Sequence, residues 1–146
     1  MALGANLGDP RGTLARARRW LAALPETRLE AASRLHATAP LGPPQPTYLN
    51  AVVRLATTLP PRALLVALHR MEAAAGRVRG VRWGPRTLDL DLLLYADRVS
   101  CDAALTLPHP RLHERRFVLA PLCELDPDLR HPLLDRTMAE LLNACP

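Results

Sequence analysis

An α+β fold follows from three features of the sequence: two stretches with helical spacing of apolar residues, strand-like runs between and after them, and a proline-rich loop joining two of those runs. Their order, strand, helix, strand, strand, helix, strand, is that of a ferredoxin-like antiparallel sheet with helices packed on one face. Short elements should follow at the C-terminal end.

The first helix opens at Asp9, an N-cap followed by Pro10 in the first helical turn. Leu14, Ala17, Leu21 and Leu24 then form an apolar stripe against Arg16, Arg18 and Arg19, and Pro25 should stop the helix. Leu29 to Thr38 and Leu49 to Thr57 read as two strands, adjacent and antiparallel. Between them "APLGPPQP", Ala39 to Pro46, is a loop that proline holds extended. Pro60 and Pro61 open a second helix whose Leu64, Leu65, Leu68, Met71 and Ala75 keep helical spacing until Gly76 closes it. After an arginine-rich loop, Thr87 to Tyr95 reads as a strand. The tail from Pro108 mixes turns with helical segments near Glu114 to Leu122 and Leu134 to Leu142.

A chain of 146 residues fits one domain, residues 1–146, with a substantial core. Hydrophobic residues make up 49% and aromatics 3%, so Leu, Ala and Val must fill that core. Trp20, Tyr48, Trp83, Tyr95 and Phe117 are the only large rings. The formal charge is +5, carried by Arg with no Lys, a bias that genomic base composition explains as readily as function. The charge permits an anionic partner, whether nucleic acid, membrane surface or polyphosphate, and does not choose among them. Cys101, Cys123 and Cys145 are odd in number and far apart, without disulfide or zinc spacing, as expected of reduced thiols in a cytoplasmic protein. No apolar run approaches the roughly 20 residues of a membrane span and no secretory segment opens the chain, so no membrane partner is expected.

Asp89 and Asp91 interrupt a run otherwise built of Leu. On a strand, residues two apart share a face, so the aspartates stand together while Leu88, Leu90, Leu92 and Leu94 line the core face. Their Cα atoms should lie roughly 6 to 7 Å apart, close enough for the carboxylates to converge on shared ions. A half-exposed strand with a wet face would carry the same pattern. What changes the balance is Arg77, Arg79, Arg82 and Arg86 before the pair, and His109, Arg111, His113, Arg115 and Arg116 after it. Carboxylates that hold Mg²⁺, fringed by arginine forks, suit a nucleoside triphosphate. The chain has no Walker A and no glycine-rich kinase loop, so phosphotransfer would need another fold.

Four ordered motifs, "LGANLGD", "TAPLGPPQPTYLNAV", "RWGPRTLDLDLLLYAD" and "LPHPRLHERRFVLAPL", closely resemble the 6-hydroxymethyl-7,8-dihydropterin pyrophosphokinases of the folate pathway over nearly the whole chain. The resemblance implies a ferredoxin-like fold, two Mg²⁺ ions, and transfer of pyrophosphate from ATP to the pterin hydroxymethyl group with release of AMP. It also implies that Asp89 and Asp91 hold both ions, that Arg86 grips the triphosphate, and that Arg77 swings in with its loop. His109 and Arg115 would meet the β- and γ-phosphates, with Arg79, Arg82 and Glu72 as further nucleotide contacts. Tyr48 and Phe117 would sandwich the pterin, Asn50 would read its ring edge, Thr38 and Leu41 would contact its amide side, and Trp83 would close over it. The physical reading agrees: a flat heterocycle gains from stacking, and Asn offers a donor and an acceptor.

Departures from the family pattern are a first strand with only Met1, Ala2 and Leu3 before Gly4, Ala5 where many members have Ser, Arg111 where some have a phosphate-touching Tyr, and a slightly short loop from Gly76 to Trp83. The partners expected are therefore two small molecules, ATP and the pterin, acting on a monomer, with no nucleic acid. A rival is an RNA-binding domain of ferredoxin-like fold, which would display rings on central strands for base stacking. Another is an inactive relative serving as an interaction domain, which would lack the metal or phosphate ligands.

Overall fold

The computed structural model describes residues 1–40, 42–76 and 87–146. Along these run β1 (Ala2–Ala5), α1 (Pro10–Ala22), β2 (Thr27–Ala32), β3 (His36–Thr38), β4 (Tyr48–Thr57), α2 (Pro61–Ala74), β5 (Asp89–Asp91), β6 (Ser100–Asp102), β7 (Leu105–Leu107), a 3-10 turn (Leu112–Glu114), α3 (Arg116–Leu125) and α4 (Met138–Ala144). The main sheet has the order β2-β4-β1-β5, with β3 pairing β4 beyond β2, and all its pairings are antiparallel. That order is the ferredoxin-like one the sequence predicts.

Both expected helices form where their caps lie. The Asp9 carboxylate accepts the Gly12 N–H at 3.1 Å, and Leu14, Ala17 and Leu21 are buried. The second helix starts at Pro61 and buries Leu64, Leu68 and Met71, with Gly76 beyond its end at φ +77. A left-handed residue there costs glycine nothing.

Four features of the structure differ from the sequence reading. The strand expected over Leu29 to Thr38 is two strands, because the segment between β2 and β3 leaves the ladder. There Ser33 bonds to Val52 twice, by its N–H to the Val52 carbonyl and by its hydroxyl oxygen to the Val52 N–H. The strand expected over Thr87 to Tyr95 is confined to Asp89–Asp91, since among the described residues β5 pairs only with the four-residue β1. Leu88, Leu90 and Leu92 enter one core, whereas Leu93 and Leu94 turn to the other.

The C-terminal helices are also shifted. Arg115 is extended, which separates the 3-10 turn from α3, and a bridge between Arg130 and Thr137 delays the last helix to Met138. There Thr137 and Glu140 form a reciprocal capping box.

Finally, helices cover both faces of the sheet. Leu3, Val53 and Leu90 pack with α1 and α2, whereas their sheet neighbours Ala2 and Val52 pack with Val118, Leu119 and Leu122 of α3 and Met138 and Leu141 of α4. Strand alternation sends successive residues to opposite cores.

Candidate active site

The carboxylates of Asp89 and Asp91 project from β5, an edge strand held from both sides. Inward it pairs with β1, Gly4 opposite Asp89 and Ala2 opposite Asp91. Outward, the Leu90 N–H meets no strand among the described residues and donates to the buried Glu72 carboxylate of α2 at 3.2 Å. Leu90 goes to the core while the aspartates on either side of it remain half-buried, as a strand of period two requires.

Two hollows meet at these aspartates. One, of about 220 Å³, is lined by Thr38, Ala39, Tyr48, Asn50, Phe117 and Val118, with Arg115 and the β1 segment Ala2 to Gly4. The other, of about 490 Å³, is an open cleft between α2 and the β6–β7 hairpin, lined by His69, Glu72, Ala103 to Thr106, His109 and Pro110. Asp89 and Asp91 line both.

In the smaller hollow, Asn50 donates to the Thr38 hydroxyl at 2.6 Å, which leaves its carbonyl oxygen oriented towards β1. Gly4 is what admits it: a Cβ added at Gly4 would lie 3.0 Å from Asn50 Oδ1. Thr38 pairs with Tyr48 across β3 and β4, so these three side chains form one wall. Phe117, from the first turn of α3, supplies the other, with the Arg115 guanidinium 5.7 Å from its ring centroid. Arg115 also reaches Asp91 at 3.7 Å. Its burial lowers its pKa, and the neighbouring Asp91 opposes that shift.

His109 is pushed down to about 4, first by burial and then by Arg115, against the pull of Asp89. It is therefore neutral at pH 7. Its Nδ1 accepts the Arg111 N–H at 3.1 Å, which assigns the ring proton to Nε2 as a donor.

Asp89, Asp91, His109, Arg115, Glu72, Thr38, Tyr48, Asn50 and Phe117 are thus gathered around these two hollows. Arg77, Arg79, Arg82, Trp83, Arg86 and Leu41 lie outside the described residues. Glu72 differs from its expected part as a nucleotide contact in one respect: one of its oxygens is engaged with the Leu90 amide. Sequence reasoning missed the spacing role of Gly4, and it missed the β6–β7 hairpin and His69 as walls of the cleft. Among the described residues no group of three or more His, Cys, Asp or Glu side chains is disposed to hold a metal ion. A divalent ion here would take two carboxylates from the protein and its other oxygens from phosphate and water, a donor set that suits Mg²⁺.

Fold and site together present a carboxylate pair between a ring-sized hollow and a wider polar cleft, an arrangement that suits the class of transferases acting on two substrates. The chain belongs to the 7,8-dihydro-6-hydroxymethylpterin-pyrophosphokinase family, whose sequence model matches residues 1–127. It is 49% identical over 147 residues to the 2-amino-4-hydroxy-6-hydroxymethyldihydropteridine pyrophosphokinase of Pseudomonas aeruginosa, covering 100% of this chain and 90% of that protein. The protein of the same name from Synechocystis is 42% identical over 142 residues, 97% of this chain and 73% of its own. That from Haemophilus influenzae is 45% identical over 133 residues, 90% and 83%.

Proposed function

We propose that the chain transfers a pyrophosphoryl group from ATP to the hydroxymethyl oxygen of 6-hydroxymethyl-7,8-dihydropterin, giving AMP and the pterin diphosphate for folate biosynthesis. The observation that carries this reading is the wall common to both hollows, made by Asp89 and Asp91. A heterocycle in the smaller hollow and a triphosphate in the cleft would present their reacting atoms to each other at that wall.

The pterin would lie between Tyr48 and Phe117, with Asn50 and Thr38 at its polar edge. Its hydroxymethyl arm would then point to β5. In the cleft, His109 would donate from Nε2 to a phosphate oxygen, and Arg115 would neutralise charge that develops on the transferred group. Two Mg²⁺ ions held by Asp89 and Asp91 would supply charge stabilisation for the attacking and leaving oxygens. The hydroxyl oxygen attacks the β-phosphorus in line, the bond from that phosphorus to the oxygen bridging it to the α-phosphorus breaks, and AMP leaves with the electron pair. The hydroxyl proton is released to solvent, so the chain's own contribution is orientation and charge, with no covalent intermediate.

An RNA-binding reading loses its support here, because helices cover both faces of the sheet on which bases would have to stack. No helix among the described residues is long and apolar enough to cross a membrane. The deciding experiment incubates the protein with ATP, Mg²⁺ and the pterin and separates the nucleotide products. Pterin-dependent AMP matched by pterin diphosphate is expected; ADP would overturn the proposal.

A further inference from the structure

The smaller hollow lies between two walls that belong to different elements. Its sheet wall is Thr38, Tyr48 and Asn50, and its helix wall is Phe117 and Val118 with Arg115 just before α3. Deeper in, Val118, Leu119 and Leu122 meet Val52 in apolar contact. Such contact holds the layers together without a directional polar bond, and its close packing transmits strain from one rung to the next. A polar staple sits beyond that contact. Glu124, in the last turns of α3, accepts the Arg34 N–H at 2.9 Å through Oε2, and its Oε1 pairs with His36 Nε2. The Arg34 side chain approaches the same carboxylate at 3.5 Å. The Arg34 amide and, after it, His36 hold the Glu124 carboxyl below the usual carboxylate range, so it is an anion at neutral pH.

The placement of this staple relates it to the hollow. Glu124 lies seven residues after Phe117, two helical turns along the same face, about 10.5 Å along the axis. On the sheet side His36 precedes Thr38 by two residues and so shares its face, and it stands opposite Asn50 in the register. The staple and the hollow are thus successive rungs between the same helix and the same strand pair. A change at one rung alters the separation or offset at the next.

We propose that Glu124, acting through His36 and the Arg34 amide, is a positioning residue that sets the distance between the two walls of the pterin hollow and thereby the affinity for the pterin. This rests on the functional reading above. Glu124 touches neither hollow and acts through Phe117 on its own helix and Thr38 on the facing strand.

The test is a split of kinetic constants. In Glu124→Ala the KM for the pterin should rise about tenfold, equivalent to about 1.4 kcal/mol. The KM for ATP and kcat should stay within about twofold of wild type, the pattern of lost uniform binding of one substrate. Direct titration of the pterin in the absence of ATP should weaken by the same factor. Glu124→Gln, which still accepts the Arg34 N–H and can bond to His36, should restore most of the loss. Glu30→Ala, which frees Arg28 and Arg54 at another surface, controls for general loss of an ion pair and should leave the pterin KM unchanged. A pterin KM within about twofold of wild type in Glu124→Ala, or equal rises for both substrates, would overturn the proposal. If Glu124→Ala fails to fold, His36→Phe carries the same expectation. Absence of pterin-dependent AMP in the wild-type protein would instead sink the functional reading.

Discussion

Single residues carry the sharpest expectations. Asp91→Asn preserves shape while removing the charge that meets Arg115, so kcat should fall by at least about 10³, roughly 4 kcal/mol of barrier, with the melting temperature little changed. A near wild-type rate would remove Asp91 from the mechanism. Gly4→Ala should act on the other substrate. Its Cβ would crowd Asn50 Oδ1, and the pterin KM should rise several-fold while the ATP KM holds, measured under saturating partner substrate. At this scale the sequence is eloquent where chemistry needs a particular side chain and silent where it needs an absence. The aspartate pair stands out against leucine, whereas the need for hydrogen at Gly4 depends on which residue lies across the ladder, and that is fixed only when β1 pairs with β4.

At the scale of elements, β5 invites a prediction through its outer edge. Glu72→Ala should leave the Leu90 N–H buried without that acceptor, a cost of about 1–3 kcal/mol in stability. Because the aspartates flank Leu90, kcat should fall in the same variant, read by thermal melting and initial rates side by side. Legibility here follows length. Helices α1 and α2 span 13 and 14 residues, enough for a periodicity to declare itself, and their proline and aspartate signals mark where they start. Strands β6 and β7 have three residues each, too few for alternation to be distinguishable from chance. The break between β2 and β3 was likewise hidden, since it depends on Ser33 bonding to Val52, nineteen residues away.

Over the whole molecule, the ferredoxin-like order was legible because connection order leaves few ways to pair the strands. The second helical face was not, because the sheet residues that α3 covers alternate with those α1 covers and give no separate signal of their own. Global stability should depend on pH through histidines that burial keeps neutral. His109 is held at about 4, and burial also lowers the buried His131. The unfolded chain binds these protons at an ordinary histidine pKa, so it takes up more protons than the folded chain as pH falls from about 6.5 towards 4. The contribution of these two histidines is therefore complete above about pH 6.5 and declines through that window. Denaturant midpoints measured across it should fall with pH, and His131→Gln should flatten part of the decline.

The wall shared by the two hollows also bears on thermodynamic independence. Asp89 and Asp91 line both hollows, so on the proposed reading whatever neutralises them from the cleft changes the field felt in the smaller hollow. The coupling free energy that results is reciprocal: any factor by which ATP strengthens pterin binding is the factor by which pterin strengthens ATP binding. On the proposed reading neither substrate should have a single affinity for this protein, and each dissociation constant should be measured together with the occupancy of the other hollow.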